Sequence, residues 1–218
     1  MKILITAGPT REALDPVRYL SNRSSGKMGY AVAQAAAKKG HEVLLISGPV
    51  NLPAPEGVAL QKVTSAQDMY DAVQTGICGC EIAIYAAAVA DYRPVQVAAQ
   101  KMKKQAERVV LELEKTQDIL GSARSVFGYT GVLVGFAAET QDLELHASDK
   151  MMRKGCDLLI GNRVDLPGIG FDSDDNEITL FRPGEPPSAP IRGSKHELAQ
   201  HIIHLAETLA LQKLANPS

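Results

Sequence analysis

"KILITAG", residues 2–8, gathers its large apolar residues into one run and stops on a glycine. A strand with one face in water alternates apolar and polar residues, whereas a strand covered on both faces does not. The same continuous pattern returns in "HEVLLISG" (41–48), "EIAIYAAA" (81–88), "GVLVGFAAE" (131–139) and "CDLLIGN" (156–162), with a shorter strand expected near "VALQKV" (58–63). Helical patterns fill the intervals at 26–39, 118–125 and 142–154, and a further helix opens at Ser65 with Asp68 three residues on as a capping box. Lys38 and Lys39 suit the C-terminal end of the first helix, and Gly40 suits its cap. Strands that alternate with helices and are apolar throughout predict the α/β class. The expected architecture is a Rossmann-like, doubly wound, mainly parallel sheet with helices on both faces.

Two stretches break the rhythm. "RVVLELEK" (108–115) alternates like a half-exposed strand, and "NEITLFRPGEPPSAPIRGSK" (176–195) reads as a hairpin around a Pro/Gly-rich turn. Both are expected to be antiparallel and additional to the main sheet. The last helix is expected from Ser194, with Glu197 completing a second capping box, to about Leu214. Leu198, Ile202, Leu205, Leu209 and Leu214 form its core stripe.

With 218 residues the chain fits one large domain, and a formal net charge of -2 argues against a nucleic-acid surface. Three cysteines, Cys78, Cys80 and Cys156, give neither a disulfide framework nor a four-ligand zinc pattern. The five histidines form no metal set, and no run approaches the roughly 20 apolar residues that span a membrane. "MKILITAG" is too short and too soon ended by glycine for a signal peptide. A cytoplasmic protein is expected.

"SNRSSGKMG" (21–29) stands directly before the alanine-rich helix "YAVAQAAAKKG". A dinucleotide fold needs GxGxxG immediately after the first strand, but "GPTREALD" follows it, and the second strand ends in Ser47-Gly48 without an acidic residue for a ribose. A P-loop needs glycine where Ser21 stands and Ser/Thr where Met28 stands. A helix cap by Ser24 or Ser25 explains the helix start but not a long loop containing Arg11, Asp15, Arg18, Asn22 and Arg23. Long loops at the carboxyl ends of parallel strands hold ligands, and helix N-termini favour anions. Together these features suggest a phosphate-bearing ligand, with a dinucleotide and a plain helix cap as the alternatives.

"ITAGPTREALDPVRYLSNRSSGKMG" (5–29), "AAAVADYRP" (86–94), "KMKK" (101–104) and "VGFAAET" (134–140) together resemble the phosphopantothenoylcysteine synthetase family, in order, from residue 3 to about 195. That resemblance implies ligation of 4'-phosphopantothenate to L-cysteine with CTP and Mg2+ or Mn2+, through an acyl-cytidylate. It also implies a homodimer, and a flavin-dependent decarboxylase either fused or separate. A single synthetase domain, 1–218, is expected, with 92–105 as a flap and 108–115 plus 176–191 as dimerisation strands. Two other classes stay open: an NAD(P)-dependent oxidoreductase and a non-catalytic nucleotide-binding protein.

The resemblance assigns Asn22 to the acyl group, where a neutral amide can donate to a carboxylate or to the oxyanion that follows. It assigns Lys101 to the nucleotide phosphates. For nucleotide binding it implies Gly8, Ser25, Gly26, Tyr85, Ala86, Ala87, Asp91, Lys101, Thr116, Gln117, Asp118, Ile119, Phe136, Lys150 and Lys154. The family more often has Asn-Pro where Thr116-Gln117 stands. Pro9 and Thr10 are expected in a phosphate-proximal turn, and Lys103 and Lys104 read equally as a solvated loop. Arg11, Arg18 and Arg23 are all candidates for the substrate phosphate, and no metal ligands are assigned.

Overall fold

A computed structural model describes residues 1–104, 107–139, 143–163 and 173–215, with the backbone alone at Glu139, Leu143 and Arg163. In chain order the elements are β1 (Lys2–Ala7), β2 (Arg11–Ala13), β3 (Tyr19–Ser21), α1 (Lys27–Lys38), β4 (Glu42–Ser47), β5 (Val58–Lys62), α2 (Ala66–Gly76), β6 (Ile82–Tyr85), β7 (Tyr92–Pro94), β8 (Leu113–Lys115), α3 (Ile119–Ser125), β9 (Val132–Glu139), α4 (Leu143–Lys154), β10 (Leu158–Arg163), β11 (Asp175–Phe181), β12 (Ile191–Ser194) and α5 (Lys195–Ala215). Gln105 of the expected flap and Asp142 of the expected fourth helix lie outside the described residues.

Eight strands form one sheet in the order β12-β11-β10-β9-β6-β1-β4-β5. Strands β5, β4, β1, β6, β9 and β10 run parallel, as the continuous apolar pattern of all but the edge strand β5 predicts. One face buries Ile3, Ile5, Val132, Val134, Leu158 and Ile160 against α1 and α5. The other buries Leu4, Ala83, Leu133 and Leu159 against α2, α3 and α4. Because β4 lies to one side of β1 and β6 to the other, the winding reverses at β1. In such sheets the carboxyl ends at the reversal are where ligands bind.

Close packing of α1 depends on Gly29. A Cβ there would lie 2.5 Å from Ala7 Cβ and 3.2 Å from the Thr6 carbonyl oxygen. The capping box of α2 is formed as expected, with Ser65 and Asp68 each bonding the other's backbone N–H. So is that of α5, between Ser194 and Glu197.

Four expectations are corrected. The β11–β12 hairpin is antiparallel, but it extends the main sheet rather than standing outside it. Of 108–115 only Leu113–Lys115 is a strand, paired with Tyr92–Pro94 in a separate two-stranded ribbon. Leu214 is 66% exposed; Ala199, Ile203, Ala206 and Ala210 complete the buried face of α5 instead. The N-cap of α1 is Gly26 in the left-handed region (φ 77°), not Ser24 or Ser25. Ser24 Oγ accepts the Gly26 N–H at 3.3 Å, bracing the turn before the helix.

Candidate active site

A cavity of about 980 Å³ opens at the carboxyl ends of β1, β6, β9 and β10. That size suits an extended ligand or two ligands side by side. Its floor is the chain that continues β1 and β6 past their last strand residues. Pro9 bridges Ala88, the Ala88 N–H donates to the Gly8 carbonyl at 2.9 Å, and the Ala90 N–H donates to Thr10 Oγ1 at 2.9 Å. Thr116 Oγ1 closes the other side on the Ala90 carbonyl at 2.6 Å. The small residues 86–88 keep this floor low enough for a ligand to lie on it.

Asn22 stands over the floor. Its Nδ2 donates to the carbonyls of Ala88 (3.0 Å) and Val89 (3.1 Å). Both amide hydrogens are thereby spent on the protein, and Oδ1 is the atom Asn22 offers to a ligand. The sequence expectation of a donor amide is therefore reversed in sense: here the group presents an acceptor.

Lys154 pairs with Asp118, which caps α3 by accepting the Gly121 N–H at 2.9 Å. Lys150 donates to the Phe136 carbonyl at 2.7 Å. Burial holds the Lys154 ammonium below its usual range. These residues line the cavity together with Arg23, Ser25, Gly26, Tyr85, Ala86, Ala87, Asp91, Thr116, Gln117 and Ile119. Tyr85 turns its hydroxyl into the core, where it has no hydrogen-bond partner among the described residues and burial pushes its pKa above the usual range.

Four expected residues stand elsewhere. Gly8 (φ 74°) lies under the floor against Val50 and Gly48 rather than on the cavity wall. Arg11 stacks its guanidinium over Tyr19, 4.5 Å from the ring centroid. Arg18 is paired with Asp15 through Nε at 2.9 Å and Nη2 at 2.5 Å. Lys101 is exposed outside the cavity, and its neighbour Met102 is fastened to Asp15 and Arg18. Of the three arginines, Arg23 is the one that lines the cavity.

Sequence reasoning missed Lys27, Asn162, Asn176 and Lys195, which also line it. Asn162 and Asn176 sit at the ends of strands whose interiors are plainly apolar, and a polar residue there is the one signal they give.

Residues 1–209 match the family described as DNA/pantothenate metabolism flavoprotein C-terminal domain. The chain belongs to this family. It is 49% identical over 209 residues to the coenzyme A biosynthesis bifunctional protein CoaBC of Vibrio vulnificus, a match covering 95% of this chain and 52% of that protein. The CoaBC of Bacillus subtilis is 47% identical over 216 residues, 97% of this chain and 52% of that protein. The chain thus spans about half the length of these relatives. The crystal structure of the C-terminal domain of a CoaBC superposes with a TM-score of 0.80 at 38% identity, covering 97% of this chain and 96% of that one. Among the described residues no helix is long and apolar enough to cross a membrane.

Proposed function

We propose that this domain ligates 4'-phosphopantothenate to L-cysteine in coenzyme A biosynthesis, consuming CTP and releasing CMP and pyrophosphate. The observation that carries the reading is a cavity at the winding reversal whose wall unites Asn22 with Asp118, Lys150 and Lys154. Membership of a family whose relatives are named for coenzyme A biosynthesis supports it.

A carboxylate is too poor an electrophile to acylate an amine in water. In the proposed first step its oxygen attacks the α-phosphorus of CTP and pyrophosphate leaves. In the second the cysteine nitrogen attacks the activated carbonyl carbon, CMP leaves with the bridging oxygen, and the nitrogen gives up a proton. Lys150 and Lys154 supply positive charge beside the α3 N-terminus, where the nucleotide phosphates would accumulate negative charge. In this reading Asn22 Oδ1, left open by the two bonds its Nδ2 makes, accepts an N–H of the cysteine amine, whose lone pair then faces the carbonyl.

Mg2+ takes oxygen ligands, keeps several waters and is usually held by one or two carboxylates plus the substrate's phosphates. Among the described residues no cluster of three or more His, Cys, Asp or Glu is present. The cavity wall does carry Asp91, exposed and suited to one such bond. That donor set fits a cation arriving with the triphosphate, whose charge it would offset; it does not fit an all-protein metal cage.

A homodimer is part of the proposal. The β7–β8 ribbon and its flanks leave Val95, Val97, Val109, Val110 and Leu113 exposed, Val110 at 93%. A second copy covering them would account for this surface. Since Lys101 lies outside its own chain's cavity, its proposed part at the nucleotide phosphates requires the 98–104 segment to move or to serve the partner's cavity. Light scattering at micromolar concentration tests assembly, and a strictly monomeric active species would end that part of the reading.

The deciding experiment is pyrophosphate release with phosphopantothenate and cysteine, CTP against ATP. Release dependent on all three with CTP is the expected result. Binding of CTP without release would leave a nucleotide-binding protein, and fluorescence titration showing bound NAD(P)H would leave an oxidoreductase.

A further inference from the structure

The aim of Asn22 is set by a residue that lies off the cavity wall. Thr10 is fully buried in the chain between β1 and β2 and does not line the cavity. Its N–H donates to the Ala88 carbonyl at 3.3 Å, and its Oγ1 accepts the Ala90 N–H at 2.9 Å. These two bonds bracket the 88–90 segment, whose Ala88 and Val89 carbonyls accept from Asn22 Nδ2. The Thr10 carbonyl in turn accepts from Ser21 Oγ at 2.7 Å, which fastens the residue immediately before Asn22. Thr10 therefore fixes the backbone that carries the Asn22 side chain and also the carbonyls that set its rotation. An amide whose nitrogen is bound in one place has its oxygen aimed in one direction.

Any residue at position 10 would supply the N–H and the carbonyl, but the hydroxyl is particular to this side chain. Ala90 is 8% exposed, so water is a poor substitute for the acceptor that its N–H finds in Thr10 Oγ1. The Ala90 carbonyl is held from the other side by Thr116 Oγ1 at 2.6 Å. Both polar groups of this one peptide residue are thus clamped by threonine hydroxyls. Thr116 is the half-buried arm of the clamp, on the cavity wall, and Thr10 is the arm that water does not reach. Without the buried arm the Ala90 N–H is left unpaired, and the 88–90 chain can turn to satisfy it, carrying the Ala88 and Val89 carbonyls away from Asn22.

We infer that Thr10 is a positioning residue for the ligase reaction: its buried hydroxyl holds the 88–90 carbonyls that aim Asn22 Oδ1 at the cysteine amine. The step it affects rests on the ligase reading above, whereas the coupling of Thr10 to Asn22 does not. Thr10 touches neither substrate and acts through Asn22 alone. Its loss should slow capture of the activated carbonyl by cysteine and leave the nucleotide, held by Lys150 and Lys154, in place.

The test compares Thr10→Val, which keeps the branched shape without the acceptor, with Thr10→Ser, which keeps the acceptor. Misplacing a reacting group by about 1 Å costs up to roughly 100-fold, so kcat/KM for cysteine should fall about 10- to 100-fold in Thr10→Val. Thr10→Ser should recover most of that loss, and CTP affinity in calorimetry should stay within about 2-fold of wild type in both. Thr10→Val combined with Asn22→Ala should lose no more than Asn22→Ala alone, because a residue acting through Asn22 has nothing left to act on. Additive losses, no recovery in Thr10→Ser, or a matching fall in CTP affinity would overturn the inference. Nuclear magnetic resonance gives a readout without turnover. The side-chain NH2 signals of Asn22, identified by their absence in Asn22→Ala, should move toward those of a solvated asparagine in Thr10→Val and stay near wild type in Thr10→Ser. That movement upholds the coupling even if wild type releases no pyrophosphate, a result that would remove the ligase reading alone. Unmoved signals, or signals moved the other way, remove the inference. Should Thr10→Val fail to fold by circular dichroism, Thr10→Cys, with a sulfur that accepts only weakly, carries the same comparison against Thr10→Ser.

Discussion

The Asp15 carboxylate accepts the backbone N–H of Met102 at 3.1 Å, joining two loops that lie 87 residues apart in sequence. It also accepts from the N–H groups of Val17 (2.9 Å) and Arg18 (2.8 Å) and from the Arg18 guanidinium, which reaches on to the Met102 carbonyl at 2.8 Å. One buried carboxylate thus fixes the loop leading into β3 and Asn22, and also the segment that carries Lys101. Replacing Asp15 by Asn keeps the shape but removes the charge and two acceptor lone pairs. The 101–104 segment should come loose. Trypsin should cut after Lys101, Lys103 or Lys104 several-fold faster in Asp15→Asn than in wild type, with far-UV circular dichroism unchanged. Equal cleavage rates would show that the segment is held by something else.

The same carboxylate gives a pH signature. The Arg18 side chain foremost, and then the backbone N–H groups of Val17, Met102 and Arg18, outweigh burial and hold its pKa well below the usual carboxylate range. A folded pKa below the unfolded one means the contribution is complete above about pH 4 and is lost as pH falls toward the folded value. Urea melts of wild type and Asp15→Asn should therefore differ most at neutral pH, and the difference should narrow between about pH 4 and pH 2. A pH-independent difference would mean that the charge of Asp15 contributes nothing.

Asn22→Asp probes the floor of the cavity. The substitution trades two donated hydrogen bonds, to Ala88 and Val89, for carboxylate oxygens facing those same carbonyls. Leaving such acceptors facing one another costs about 1–3 kcal/mol. The expected outcome is a lowered melting temperature together with impaired amide formation, while CTP still binds through Lys150 and Lys154. Loss of CTP binding in calorimetry would contradict a nucleotide held by Lys150 and Lys154 rather than by Asn22.

How far the sequence foretells this molecule depends on the range of the interaction. The parallel strands are legible because continuous apolar runs have one physical explanation, coverage on both faces, and Ser65–Asp68 is legible because a capping box is local. The β2–β3 hairpin is invisible because three-residue strands carry no periodicity. The β11–β12 hairpin is legible as a hairpin, but not as part of the main sheet, because pairing with β10 is a tertiary choice. At the site, loops that end strands point to Asn22 and Asp91, whereas Lys195 passes for an ordinary lysine after a capping box. Its position at the positive end of a helix is the signal that could have marked it.

Thiol chemistry offers a check on the α3/α4 face. Cys156 is 3% exposed, and burial pushes its pKa up to about 11. The Cys80 thiol is also raised by burial and donates to the Gly76 carbonyl at 3.3 Å. Cys78 is exposed on the turn before β6. Since the thiolate is the reacting form, an alkylating reagent at pH 8 should modify one thiol rapidly and two slowly, and peptide mapping should place the rapid one at Cys78. Gly135 lies directly beneath Cys156, where an added Cβ would stand 3.2 Å from Sγ, 2.9 Å from Leu159 and 3.0 Å from Leu120. Gly135→Ala overfills this contact, which costs about 1–3 kcal/mol and should speed labelling of Cys156 by raising the population of opened states. If the variant instead labelled Cys156 at the wild-type rate with an unchanged melting temperature, the packing of α4 on β9 and β10 would have to be drawn differently.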